Sequence, residues 1–171
     1  MARKTALFIA TAAIALTGCA KKRPPILPPA PTEDTRPAPQ QPLPPRGDGV
    51  VPGSAADFMR SVTSDTIHFA FDAYDIDPES QRILDSQAAW LLKYPNVRVT
   101  IEGHCDERGT REYNLALGDR RANSAKNYLA GKGISAARIT TISYGKERPI
   151  AQGSDEASWA QNRRAVTVVI Q

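Results

Sequence analysis

A chain of 171 residues with a formal charge of +4 has room for one modest core once its non-globular parts are set aside. The charge is uneven: residues 1 to 56 hold 7 Lys/Arg against 3 Asp/Glu, and residues 57 to 171 hold 15 against 15. A nucleic-acid module carries its positive excess on the folded domain, so this balance, with no basic stripe interleaved with aromatics, excludes nucleic acid as an expected partner.

Residues 1–18 read as a signal peptide. Arg3 and Lys4 form a positive start, and the apolar run from Ala6 to Leu16 is too short to span a bilayer. The run ends in Leu16-Thr17-Gly18-Cys19, which matches the lipobox of bacterial lipoproteins. Cys19 is therefore the expected lipidated residue. Several acyl chains on one residue add their membrane affinity and anchor without a transmembrane helix. Ala20 follows the cysteine, and by analogy with such lipoproteins the absence of Asp there points to the outer membrane, with the domain facing the periplasm. From Cys19 to residue 56 the chain is expected to be a disordered tether, because 11 of its 14 prolines lie there and little is apolar. Proline-rich chain extends at roughly 3.1 Å per residue, so about 30 residues reach on the order of 100 Å.

The expected domain covers residues 57–171. Ile67, Phe69 and Phe71 alternate with His68 and Ala70 as in a half-buried strand. Asp77 and Pro78 open a helix in which Ile83, Leu84, Ala88, Leu91 and Leu92 recur until Pro95. Val97, Val99 and Ile101 alternate again as a second strand, and a strand, helix, strand unit closes with its strands parallel. Thr110 caps a second helix to about Ala130, with Leu115, Leu117, Ala122, Ala125, Tyr128 and Leu129 inward. A strand over Ile139–Tyr144, a helix from Asp155 to Arg163, and a closing strand in which Val166, Val168 and Ile170 alternate complete the chain. The order βαβαβ(α)β implies an α/β (α+β) two-layer fold, a mixed four-stranded sheet with helices on one face.

Charge gathers at Ile101 to Arg121, IEGHCDERGTREYNLALGDRR, where a strand hands over to a helix. That crevice is where open α/β sheets bind ligands. A catalytic reading of His104, Cys105 and Asp106 does not fit: adjacent strand residues point to opposite faces, so His104 does not reach the thiol. A zinc site is not expected either, since His68, His104 and Cys105 are the only His/Cys after Cys19 and zinc takes three or four ligands. No enzyme, metal or cofactor is expected. Cys105 reads as a small buried hydrophobe.

At GHCDERGTREYN, LALGDRRAN and NRRAV the sequence resembles the OmpA-like peptidoglycan-binding domain over essentially all of residues 60 to 171. With a lipobox and tether in front, it is similar to the lipid-anchored members of that family. The resemblance implies a non-covalent grip on the diaminopimelate of a peptidoglycan stem, whose side chain ends in an ammonium and a carboxylate. The family's ligand-gripping aspartate falls on Asp106, expected to accept from the ammonium, and its arginine on Arg121. Arg121 is expected to fork the carboxylate, a bidentate geometry that lysine does not reproduce. Phe71, Asp72, Gly109 and Leu117 are expected at the ligand, with Asn114, Arg120, Asn162 and Arg163 supporting. The implied partners are peptidoglycan, the outer membrane through the anchor, and TolB with the other Tol proteins in envelope integrity and cell division. The alternative is an OmpA-like protein-interaction module of the TolB-binding kind whose wall site is vestigial.

Overall fold

Each helix begins where a side chain accepts an amide that the first turn leaves free. Ser54, Asp77, Thr110 and Asp155 cap α1 (Ala55–Ser61), α2 (Pro78–Lys93), α3 (Arg111–Gly131) and α4 (Glu156–Asn162), accepting from the amides of Asp57, Ser80, Tyr113 and Ser158. The computed structural model describes residues 49–170. The expected signal peptide, Cys19 and most of the tether lie outside the described residues.

Four strands, β1 (Thr66–His68), β2 (Arg98–His104), β3 (Ile139–Gly145) and β4 (Arg164–Ile170), form one mixed sheet in the order β1-β4-β2-β3. β2 and β3 are parallel neighbours, whereas β4 runs antiparallel to both β1 and β2. The first crossover therefore joins parallel strands, as expected, but β4 is inserted between them. On the helical face, Leu84 and Leu91 of α2 and Ala122 and Leu129 of α3 pack with Val99 and Ile101 of β2 in one core.

Three expectations about element faces are corrected. β1 stops at His68, so the alternation through Phe71 does not continue as strand: Ile67 and Phe69 are buried but Phe71 is 63% exposed. In β4 the inward residues are Ala165, Thr167 and Val169, while Val168 and Ile170 face out. Alternating apolar residues occur at both parities in this strand, and Thr167 is drawn inward because its hydroxyl donates to buried Gln87 at 2.8 Å. Leu92 of α2 is exposed, and Trp90 takes the inward place. Trp90 is held by α1, an element with no clear periodic signal in the sequence: its indole donates to Asp57 at 3.0 Å and stacks edge-on with Phe58.

The approach of α3 to the sheet depends on two glycines. A Cβ on Gly103 of β2 would lie 1.8 Å from the carbonyl oxygen of Gly118 in α3, and one on Gly118 would lie 2.4 Å from the Ser143 hydroxyl. Only a bare backbone fits on both sides. The close approach brings Arg121, three residues beyond Gly118, against the carboxyl end of β2.

Candidate functional site

A cavity of about 200 Å³ opens between the end of β2, the first turns of α3 and the loop after β1. Its wall contains all six residues expected at the ligand, namely Phe71, Asp72, Asp106, Gly109, Leu117 and Arg121, together with Asn114. Cys105, Arg108 and Tyr113 line it too, and the sequence had suggested a binding role for none of them.

Arg121 is completely buried. Its Nε donates to Ala73 O at 2.8 Å, Nη1 to His104 O at 2.8 Å and Nη2 to Ala70 O at 3.1 Å, and its guanidinium lies 5.1 Å from the Phe69 ring centroid. The side chain thus ties the loop after β1 to the end of β2. A guanidinium has five N–H groups; three are committed to carbonyls, which leaves two for any carboxylate. Arg120, expected in a supporting role, is exposed and stacks over Tyr74 and Tyr113 at the rim.

Asp106 is buried between two arginines. From the front, Arg108 donates its amide and Nε to Oδ1, both at 3.1 Å, and its Nη2 to Oδ2 at 2.6 Å. The same guanidinium lies 4.2 Å from the ring centroid of Phe71 and 3.9 Å from that of Trp159, distances of favourable cation–π contact. From behind, Arg163 donates to Phe69 O at 3.0 Å and Glu156 at 2.7 Å. Its Nη1, 3.6 Å from Asp106 Oδ2, is buried without a hydrogen-bond partner. Burial pushes the Asp106 carboxyl upward, but the Arg108 hydrogen bonds and the charges of Arg108 and Arg163 outweigh it. The group is held below its ordinary value of 3.8.

The rest of the wall is fixed by local bonds. Asp72 has φ of +54°, the left-handed region where Asp is among the few tolerated side chains, and its carboxylate accepts from the Tyr113 hydroxyl. Gly109 has φ of +85° and permits the turn into α3. Asn114 holds that turn by donating to the carbonyls of Arg108 at 2.7 Å and Thr110 at 3.0 Å. Asn162 staples the segment before α4, accepting from the Ile150 and Ala151 amides and donating to Ala151 O.

Cys105 is buried, and its thiol donates to Asn114 O at 3.3 Å. Burial raises its pKa further than neighbouring Arg121 lowers it, so the thiol stays protonated and is a poor nucleophile. His104 is outside the cavity wall, with its ring 5.5 Å from that of Tyr144. Burial first, then the charges of Arg164 and Arg148, lower its pKa to about 4. Arg108 and Trp159, like Cys105 and Tyr113, had no expected role at the site. Arg108 stands two positions after Asp106, a spacing at which a side chain can return to the same carboxylate; Trp159, 53 residues away from Asp106 in sequence, left no comparable signal.

The OmpA family profile matches residues 68–163. A peptidoglycan-associated lipoprotein of Agrobacterium fabrum is 46% identical over 170 residues, which cover 99% of this chain and 89% of that protein. The protein of the same description from Pseudomonas aeruginosa is 52% identical over 118 residues, 68% of each chain. Among solved structures, the peptidoglycan-associated lipoprotein from Burkholderia pseudomallei superposes with a TM-score of 0.61 at 44% identity, covering 63% of this chain and 91% of that one.

Proposed function

We propose, from the premise that the chain belongs to the OmpA family and within it to the peptidoglycan-associated lipoproteins, that it holds peptidoglycan non-covalently and tethers the outer membrane to the wall. The observation that carries this reading is the placement of Asp106 and Arg121 on one cavity wall. The free end of a diaminopimelate side chain is itself an amino acid, with one ammonium and one carboxylate, and a rigid frame must keep an acid and a base apart to receive both. Asp106 accepts from the ammonium. The carboxylate goes to the two N–H groups that Arg121 has left, helped by the partial positive charge at the start of α3.

Phe71, Asp72, Gly109 and Leu117 close the walls, and Asn114, Arg120, Asn162 and Arg163 support them. Lipidation at Cys19 anchors the chain in the outer membrane, and the proline-rich tether lets the domain reach the wall across the periplasm. No reaction is catalysed: the Cys105 thiol is held protonated, and His104 lies outside the cavity. By family likeness the domain also partners TolB and the other Tol proteins, in envelope integrity and cell division.

Since the Asp106 carboxyl titrates below 3.8, it remains an acceptor through neutral and mildly acid pH, and binding is lost only below the ordinary carboxylate range. Retention of the purified domain on isolated sacculi tests the reading. Asp106→Asn, which preserves shape and removes the charge, is expected to lower retention at least tenfold while the domain stays folded at the assay temperature, with a lower melting temperature because Arg108 and buried Arg163 lose their shared counter-charge. Equal retention by the two proteins would sink the assignment.

A further inference from the structure

We infer that Arg108 is a built-in competitor for the ligand's cation, and that this competition makes the cavity select stems carrying a carboxylate beside the ammonium. The inference rests on the peptidoglycan reading of the cavity and adds a specificity determinant to it. Both oxygens of Asp106 are already occupied by Arg108, at 2.6 and 3.1 Å, and its guanidinium lies over Phe71 and Trp159. An ammonium reaching Asp106 has to compete for the carboxylate with a two-toothed, ring-stacked cation. A point charge with three donors does not replace that geometry on its own.

The second observation concerns which arginine yields. Arg163 is fixed by Phe69 O and Glu156 and nearly fully buried, whereas the Arg108 side chain is 31% exposed and has solvent to enter. Once Arg108 leaves, Asp106 is not stranded. The orphaned Nη1 of Arg163 stands 3.6 Å away, and a shift of about half an ångström makes it a hydrogen bond. Asp106 thus remains charged and oriented while its front partner is exchanged.

The exchange favours a zwitterion. A ligand with an ammonium alone replaces one ion pair by another and leaves the Arg108 guanidinium without its carboxylate. A ligand with a carboxylate beside the ammonium gives the displaced guanidinium a new anion, tethered only two residues from Asp106, in addition to the free donors of Arg121. The gain from the second charge therefore depends on Arg108.

The experiment compares wild type with Arg108→Gln, which retains the backbone amide bonded to Asp106 and most of the side-chain length but loses the charge. Each is titrated by calorimetry with a stem tripeptide ending in diaminopimelate and with the same peptide ending in lysine, which lacks only the second carboxylate. Wild type is expected to prefer the diaminopimelate peptide. In Arg108→Gln the lysine peptide should gain about tenfold while the diaminopimelate peptide changes less, so that the preference collapses at least fivefold. An unchanged preference in a variant with a native amide spectrum overturns the competition while leaving the peptidoglycan reading intact. So does a variant that loses both ligands as Asp106→Asn does, because Arg108 would then hold the ligand directly. If wild type binds neither peptide, the peptidoglycan reading falls and the competition falls with it.

Discussion

Truncating Arg121 to alanine is expected to damage the fold before it damages the site. The guanidinium supplies one N–H each to the carbonyls of Ala70, Ala73 and His104 and so ties the loop after β1 to the end of β2. Arg121→Ala removes all three bonds: Ala70 O keeps the Ala73 amide at 3.3 Å, the carbonyls of Ala73 and His104 lose their side-chain donor, and the cavity wall loses the volume of the side chain. Hydrogen bonds to charged groups contribute about 1.5–3 kcal/mol each, and removing the buried guanidinium gives back part of its desolvation cost. A loss of about 4 kcal/mol is expected, a large part of the roughly 5–15 kcal/mol of a typical domain. With a urea slope of about 2 kcal/mol/M, the unfolding midpoint falls by about 2 M. Arg121→Lys keeps the charge but cannot span three divergent carbonyls, and it should fall between the two. Equilibrium urea unfolding of the domain, followed by tryptophan fluorescence, measures this. A midpoint for Arg121→Ala within about 0.25 M of wild type, or about 0.5 kcal/mol, would contradict a structural role and leave Arg121 as a ligand residue alone. The expected loss also means that weak wall binding by this variant reports unfolding, which is why Asp106→Asn is the cleaner probe of the site.

Gly103→Ala places a methyl group 1.8 Å from Gly118 O, and neither a strand nor a helix backbone yields cheaply. A destabilisation of about 3 kcal/mol or more, read as insoluble or thermally labile domain, is expected; a melting curve like that of wild type would show that α3 lies less closely on β2 than described. His104 makes stability depend on pH between about 6.5 and 4: the unfolded imidazole takes a proton near 6.5, the buried one only near 4. The unfolded state thus binds more protons in that window, and stability falls as pH falls through it, by up to about 3 kcal/mol. His104→Phe should remove that slope in chemical unfolding at a series of pH values, and parallel profiles for the two proteins would contradict the burial of a neutral ring.

Much of the architecture was legible because local signals agreed with one another. Asp77-Pro78, Thr110 and Asp155 announce helix starts at the positions where the caps are found. The alternation of Val97, Val99 and Ile101 marks the inward face of β2 correctly at Val99 and Ile101, while half-buried Val97 lies just before the strand. In β4 the same rule failed, because Val166, Val168 and Ile170 alternate as regularly as Ala165, Thr167 and Val169, and the choice between parities was made by Gln87 on a different helix. Helix α1 left almost no trace, with Phe58 its one buried side chain, and its place depends on Trp90 and Asp57 meeting across 33 residues.

At the cavity the division is sharper. The motif from Ile101 to Arg121 was enough to bring Asp106, Gly109, Leu117 and Arg121 together, since it binds its members into one strand, one turn and one helix, and register follows from short spacing. It could not determine which of their donors and acceptors are free. That depends on partners brought in from elsewhere in the chain: carbonyls of the loop after β1, which take three donors of Arg121, and Phe71 and Trp159, which stack on Arg108 while it covers Asp106. Hydrogen-bonding groups are used up pairwise in space, and a pattern along one dimension does not record who arrives first.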